Sequence, residues 1–241
     1  SLTDRLQTTE EVRRRFVSDA SHELKTPLAS IRLLTDSLLQ ADHMDGETAR
    51  EFLNDIGDEA DRLTRITEKL LTLTRLDTAP AAEDVPVDVG AVVERVEHML
   101  SPLARAVEVS LELKLQPGCV VLATEDDLYQ IAFNLMENAV KYNLPGGRVL
   151  VTLTADGGRV VLRVEDTGVG IPEADLPKIF DRFYRVDKAR SRAAGGTGLG
   201  LSIVRDTVLQ HGGAVTARRR EPEGTCFEVS FAQWNGEEVG R

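Results

Sequence analysis

The residues of this 241-residue chain that could do chemistry fall into five short stretches. The first places His22, Glu23, Thr26 and Pro27 within six residues. Apolar Phe16, Ala20, Leu24, Leu28 and Ile31 recur there every three or four residues, the amphipathic-helix pattern, and His22 lies off that stripe. Pro27 has no N–H for the carbonyl of Glu23, four residues back, so the helix is expected to bend or loosen beside His22. The imidazole is then either a reactive group at a soft point or a solvated surface histidine. The stretch by itself supports both.

The second stretch, Asn134, Asn138 and Lys141 followed by Tyr142, sets two amides and an ammonium on one helical face. Amide oxygens suit a hydrated Mg²⁺ and the ammonium suits phosphate oxygens; a solvated polar face is the plainer alternative. The third, Asp166-Thr167-Gly168-Val169-Gly170, follows a strand pattern. Its carboxylate can accept from an exocyclic amine such as that of adenine, and alternate glycines admit a planar ring close to the backbone. An ordinary Asp-Thr-Gly turn would look the same. The fourth leads from Phe180, Phe183 and Tyr184 into Arg185, Lys188, Arg190 and Arg192, without periodicity. It suits a mobile lid over an anion, or a merely solvated basic loop. The fifth, Gly196-Thr197-Gly198-Leu199-Gly200, opens a helical pattern whose uncovered N–H groups form a natural phosphate site. It has neither the Lys-Ser/Thr ending of a P-loop nor the dinucleotide-binding glycine spacing, and the Ser/Thr/Tyr protein-kinase signatures are absent.

Two kinds of element must hold these groups. Residues 1–42 and 47–76 carry long helical stripes, and the polar break 42–47 makes them an antiparallel hairpin. A lone hairpin leaves much of each stripe uncovered, which points to a homodimer with a four-helix bundle. A Pro/Ala/acid linker follows at 79–87. Beyond it the pattern reads as helix 89–103, strands 107–115 and 119–122, helix 126–142, a strand pair 148–154 and 159–165, helix 199–210, and a last hairpin 214–219 with 225–231. That order implies an α+β sandwich, one mostly antiparallel sheet covered by helices on one face. The domains expected are a hairpin at 1–78, with 1–15 as a helical extension, a linker at 79–87, an α+β domain at 88–233 and a disordered tail at 234–241.

Composition narrows the function. A formal net charge of -11, with 29% charged residues, argues against nucleic acid as a partner. Cys119 and Cys226 are too few for a disulfide framework and lack metal-type spacing, so they read as small buried thiols. No run approaches the ~20 apolar residues that span a bilayer. The start at Ser1, in mid-pattern, suggests a portion of something longer, with any membrane segment outside this sequence.

Taken in order, the five stretches resemble the sensor histidine kinases of two-component systems. His22-Glu23-Leu24-Lys25-Thr26-Pro27-Leu28 is similar to their phosphoacceptor box, the run from Asn134 to Asn143 to their N box, and Asp166 to Gly170 to their first glycine box. Phe180 to Tyr184 is similar to the F box, and Gly196 to Gly200 to the second glycine box. Asn143 departs from the small hydroxyl residue that commonly closes the N box. The resemblance implies a multidomain fold: an all-α hairpin forming a dimeric four-helix bundle, then an α/β sandwich ATPase domain of the Bergerat fold. It implies that His22 attacks the γ-phosphate of ATP, that Glu23 acts as its base, and that Thr26 positions water for a phosphatase reaction. Adjacent helical residues do not face each other, so the role of Glu23 depends on rotamers. Asn138, helped by Asn134, would hold Mg²⁺. Lys141, Tyr142 and Arg185 would contact phosphates, Asp166 with Gly168 and Gly170 would hold adenine, and Gly196, Thr197, Gly198, Leu199 and Gly200 would complete the nucleotide site. The implied partner is a response-regulator receiver domain, and the implied location the cytoplasmic portion of a plasma-membrane sensor. A conformational ATPase and a scaffold with an inactive ATP site are the alternatives. His98 and His211 have no motif context.

Overall fold

A computed structural model describes residues 2–78 and 83–236. Part of the expected linker (79–82) and of the expected tail (237–241) lies outside the described residues. The chain forms two compact units, Ser1–Arg75 and Leu76–Arg241.

The first unit holds helix α1 (Leu2–Gln40) and most of helix α2 (Gly46–Thr78). Helix α1 runs on through Pro27, which is buried, so the missing N–H does not end the helix. Asp45 starts α2: its carboxylate accepts from the Thr48 N–H (2.8 Å) and hydroxyl (2.7 Å), and the N–H bond in particular holds its carboxyl below the usual range. Arg62 and Ile66, four residues apart on α2, are buried on one face. The Arg62 guanidinium lies 3.8 Å from the Glu23 carboxylate, two residues about equally far from the connecting turn, which fixes an antiparallel register. Apolar residues on the stripe, such as Leu28, and off it are left uncovered in this hairpin. Val12, Val17, Leu28, Leu33 and Leu39 on α1, with Leu53 and Leu71 on α2, are exposed.

In the second unit, strand β1 (Val85–Asp88) precedes helix α3 (Val89–Ala106), strands β2 (Ser110–Leu115) and β3 (Val120–Ala123), and helix α4 (Glu125–Lys141). Then come the hairpin strands β4 (Arg148–Asp156) and β5 (Arg159–Asp166), a short helix α5 (Lys188–Ala193), helix α6 (Gly200–Gln210), and strands β6 (Ala214–Arg219) and β7 (Thr225–Ala232). Five strands form one sheet in the order β2-β4-β5-β7-β6, with only β2 and β4 parallel; β1 and β3 form a separate antiparallel pair. Helices α3, α4 and α6 pack together and against the large sheet. The alternate buried residues Val149, Val151 and Leu153 on β4 and Val160, Leu162 and Val164 on β5 supply one layer of core, and Ile131, Leu135 and Val208 the other. Cys119 and Cys226 are free and buried within it, with burial pushing both thiols up.

Two sequence expectations change. Val85–Asp88, placed in the linker, is a strand; a Pro in so short a run hides it, and Pro86 is tolerated because β1 pairs only with β3. The strand expected from residue 107 begins at Ser110, because Val107 caps α3 and Glu108 takes a left-handed φ of 57°. The expected tail is tied down at its start, where the Trp234 N–H donates to the Val120 carbonyl at 2.8 Å.

His211, at the C-cap of α6, closes this unit. Its side chain is 2% exposed, with Nδ1 3.1 Å from Asp84, just before β1, and Nε2 2.8 Å from Asp127 in the first turn of α4. The bond to Asp127, then that to Asp84, raises the imidazole pKa against the opposing effect of burial. The folded value lies above the unfolded value of about 6.5, so the stabilisation is complete below that pH and fades as pH rises through the folded pKa. His211→Gln is expected to cost roughly 1–3 kcal/mol in mildly acidic buffer. Thermal melts across pH should show the gap from wild type narrowing as the solution becomes alkaline.

Candidate functional site

The alternation of β5 decides where its last acid points. Val160, Leu162, Val164 and Asp166 are the buried members of the strand, so Asp166 ends the series on the core side. Its Oδ1 accepts from the N–H groups of Gly168 (2.9 Å) and Thr225 (3.2 Å). Among the described residues no hydrogen bond reaches Oδ2, which leaves it for a ligand's donor. Burial pushes this carboxyl above its ordinary value, against the pull of those two N–H groups and of the Arg220 charge. Gly224, at a φ of 108°, allows β7 to come this close: a Cβ there would collide with the Asp166 carbonyl.

The end of α4 meets this strand end. The Val169 N–H donates to the Tyr142 carbonyl at 3.3 Å, and a Cβ at Gly168 would strike that carbonyl and the backbone of Asn143. Asn143 ties the corner further: its amide donates to the Arg148 carbonyl (3.1 Å), and its Oδ1 lies 3.4 Å from the Thr167 hydroxyl. The departure from the family pattern at this position is thus a structural tie. On α4 itself, buried Asn134 donates to the Gln130 carbonyl at 2.9 Å, which aims its amide N–H₂ back into the helix. Asn138 is half-buried, and Lys141 pairs with Glu137 at 2.8 Å.

The glycine loop closes on the same corner. Tyr142 Oη and Ser191 Oγ, on α5, are 3.1 Å apart, and a Cβ at Gly196 would overlap both. The Phe183 N–H donates to the Gly198 carbonyl at 2.8 Å. Phe183 takes a left-handed φ of 64°, an unusual conformation for an aromatic residue, and Gly198 leaves room for its backbone. Thr197 and Leu199 are buried and anchor the loop. Among the described residues no side-chain hydrogen bond caps α6 at Leu199, and the first N–H groups of a helix suit an anion. Arg185 is half-buried within the preceding loop.

The chain matches the histidine kinase-, DNA gyrase B- and HSP90-like ATPase family over residues 123–234, and the His Kinase A phospho-acceptor domain over residues 12–79. It is 32% identical to the mycobacterial sensor histidine kinase MprB, covering 97% of that solved chain and 62% of this one, with a TM-score of 0.54. The chain belongs to the sensor histidine kinase family. SenX3 of Mycolicibacterium smegmatis, a sensor-like histidine kinase, is 36% identical over 226 residues, 93% of this chain and 59% of SenX3. ShkA, solved full-length in complex with AMPPNP, is 30% identical, with a TM-score of 0.66 over 94% of this chain and 47% of that one. The chain thus spans about half the length of the curated relatives it matches.

Of the residues singled out from sequence, contacts join Tyr142, Asp166, Gly168 and Gly196 into one corner of this ATPase domain, with Gly198 two residues on held against Phe183. Asn134, Asn138 and Lys141 lie on the α4 face leading to it, and Gly170 packs its backbone near Gly224. His22 and Thr26 are exposed on α1 in the first unit, and Glu23 beside them is half-buried. Sequence reasoning missed Thr225 and Gly224, which hold Asp166 from the opposite strand; Ser191, which reaches Tyr142; and Glu137, which holds Lys141. The Glu137–Lys141 spacing of four was a visible signal. The others depend on strand pairing and loop closure.

Asp166→Asn keeps the shape and the Oδ1 acceptor but removes the charge. ATP affinity measured by calorimetry is expected to fall by about 10- to 100-fold, the worth of roughly 1–3 kcal/mol, with the melting temperature little changed. Gly224→Ala is expected to lower both together, because it displaces the Asp166 backbone. Unchanged affinity in Asp166→Asn would remove the carboxylate from the nucleotide site.

Proposed function

We propose that this chain binds ATP in the Asp166–Gly198 corner, phosphorylates itself on His22 and passes the phosphoryl group to an aspartate on a response-regulator receiver domain. The observation that carries this reading is the pairing, in one member of the family, of an exposed His22 box with a glycine-lined corner holding a buried, backbone-pinned carboxylate.

His22 attacks the γ-phosphorus with one ring nitrogen as the bond to the β-phosphate oxygen breaks and ADP leaves. The proton on its other nitrogen passes to Glu23, which leaves a neutral phosphohistidine. Transfer reverses the bonding: the N–P bond breaks as a receiver carboxylate oxygen bonds to phosphorus, and the imidazole regains a proton. Phosphoryl transfer requires positioning and charge neutralisation more than covalent help from the protein. Asp166 accepts from the adenine amine, and the α6 N-terminus, Gly196, Gly198, Lys141, Tyr142 and Arg185 receive the phosphates.

The donors fit Mg²⁺ as a partner of the nucleotide. No cluster of three or more His, Cys, Asp or Glu among the described residues could hold a metal by itself, and Asn138 with Asn134 offers neutral amide oxygens instead. Those two residues would hold the ion, which when bound supplies charge neutralisation at the phosphates.

The exposed apolar residues on α1 and α2 support a homodimer in which two hairpins cover each other as a four-helix bundle. Thr26, one turn beyond His22, donates to the His22 carbonyl at 3.3 Å and keeps its oxygen at the exposed surface, which supports a role in orienting water on a phospho-regulator. No helix among the described residues is long and apolar enough to cross a membrane. We assign the chain to the cytoplasmic portion of a plasma-membrane sensor, on the strength of relatives named as sensors.

Incubation with γ-labelled ATP and Mg²⁺ is expected to give acid-labile, base-stable label on wild type and none on His22→Gln. Unchanged label in that variant overturns the assignment. Free phosphate without phosphoprotein would indicate a conformational ATPase, and absence of ATP binding a scaffold. Thr26→Ala is expected to keep autophosphorylation while lengthening the lifetime of a phospho-regulator by on the order of 100-fold, the lower range of what a positioned proton-transfer group contributes.

A further inference from the structure

Arg62 is a cation where the helix would be better packed by a hydrocarbon. It shares the buried face of α2 with Ile66, and its side chain is only 7% exposed. A guanidinium there loses most of its hydration, and a buried ion pair is often no more stabilising than apolar residues of the same volume. Packing therefore does not account for an arginine at this position. Its guanidinium lies 3.8 Å from the Glu23 carboxylate, whose side chain is 28% exposed, and Glu23 adjoins the exposed His22.

Neighbouring helical side chains point about 100° apart, so Glu23 serves His22 only from particular rotamers. A flexible carboxylate in solvent would populate many of them. Arg62 approaches from the opposite helix, and its charge, 3.8 Å from the carboxylate, draws Glu23 toward the seam and restricts that choice. We propose that Arg62 is a positioning residue for autophosphorylation: it holds the Glu23 carboxylate at the α1–α2 seam, beside His22, in the range from which it can take the imidazole proton. The inference rests on the reading of Glu23 as the base. The role acts through Glu23, so it is expected to alter the rate of the chemical step and leave ATP binding alone.

The test is the initial rate of autophosphorylation at saturating ATP, with KM for ATP and the circular dichroism of each full-chain variant. Glu23→Gln is expected to lose on the order of 100-fold, the lower range for a general base. Arg62→Met should lose about tenfold in rate with KM for ATP within about twofold of wild type, and Arg62→Lys should recover most of that loss, because it restores the charge. Arg62→Met combined with Glu23→Gln should be no slower than Glu23→Gln alone, since residues acting through one group are not additive. Should Arg62→Met fail to fold, Arg62→Gln, which keeps a donor without the charge, takes its place and is expected to show the same loss. An unchanged rate in a folded Arg62 variant, full additivity with Glu23→Gln, or no rescue by lysine overturns the proposal. Loss in Glu23→Gln with an unchanged rate in the Arg62 variants removes only Arg62; an unchanged rate in Glu23→Gln removes the base role and the proposal with it.

Discussion

Burying the carboxylate of Asp166 is the condition on which the glycine-lined corner of the ATPase domain depends. A carboxylate taken from water is costly unless its oxygens are bonded, and here two backbone N–H groups, from Gly168 and Thr225, meet the same oxygen. Both donors must come very close, and that sets the residues around them. Gly224 has no Cβ because the Asp166 carbonyl occupies its place, and Gly168 has none because the Tyr142 carbonyl does. Through Tyr142 the constraint reaches α4, and through Ser191 and Gly196 it reaches the loop before α6. A substitution at any of these glycines therefore displaces the backbone that pins Asp166 or shapes this corner, although the glycines carry no functional atom.

Much of this was legible in the sequence because the patterns involved are local. Period-two alternation placed Asp166 at the end of a strand, and a period near 3.6 placed Asn134, Asn138 and Lys141 along one helix. The long helices and the last hairpin followed from stripes and turn residues. Strand β1 was not legible: four residues with a proline give no usable period, and its pairing with β3 spans more than thirty residues of sequence. The extra apolar faces of α1 and α2 were visible as residue types at Val17, Leu33, Leu39 and Leu53. They were passed over because a single stripe is enough to define one hairpin, while a bundle of four helices needs more of each surface.

The polar residues that hold the site from outside its motifs were the least legible part. Thr225 and Gly224 reach Asp166 through the β5–β7 pairing, whose register also aligns Arg163 with Glu228 at 2.7 Å. Sequence distance hides such neighbours, since each looks like an ordinary strand or turn residue where it stands. Arg62 is hidden in another way. It interrupts a hydrophobic face, and a pattern search treats the interruption as noise.

Exposure does not choose the phosphoacceptor among the four histidines. His22, His43 and His98 are all exposed, so each could be reached by a phosphoryl donor. His211 alone is excluded by geometry, since both its nitrogens face carboxylates and its ring is buried. Among the other three the neighbours decide. His43 lies in the connection between helices, where the turn residue Asp45 is committed to capping α2. His98 lies on α3, where buried Val96 and Leu100 serve the core of the ATPase domain. His98 also has an acid beside it and a hydroxyl about one turn away, but the Ser101 hydroxyl donates to Glu97 itself at 2.7 Å, whereas the acid beside His22 meets a buried cation and the Thr26 hydroxyl donates to the His22 carbonyl. A nucleophile needs a proton acceptor held within reach of its reacting atom, and the cation that meets Glu23, more than accessibility, is the observation that supports the proposal for His22.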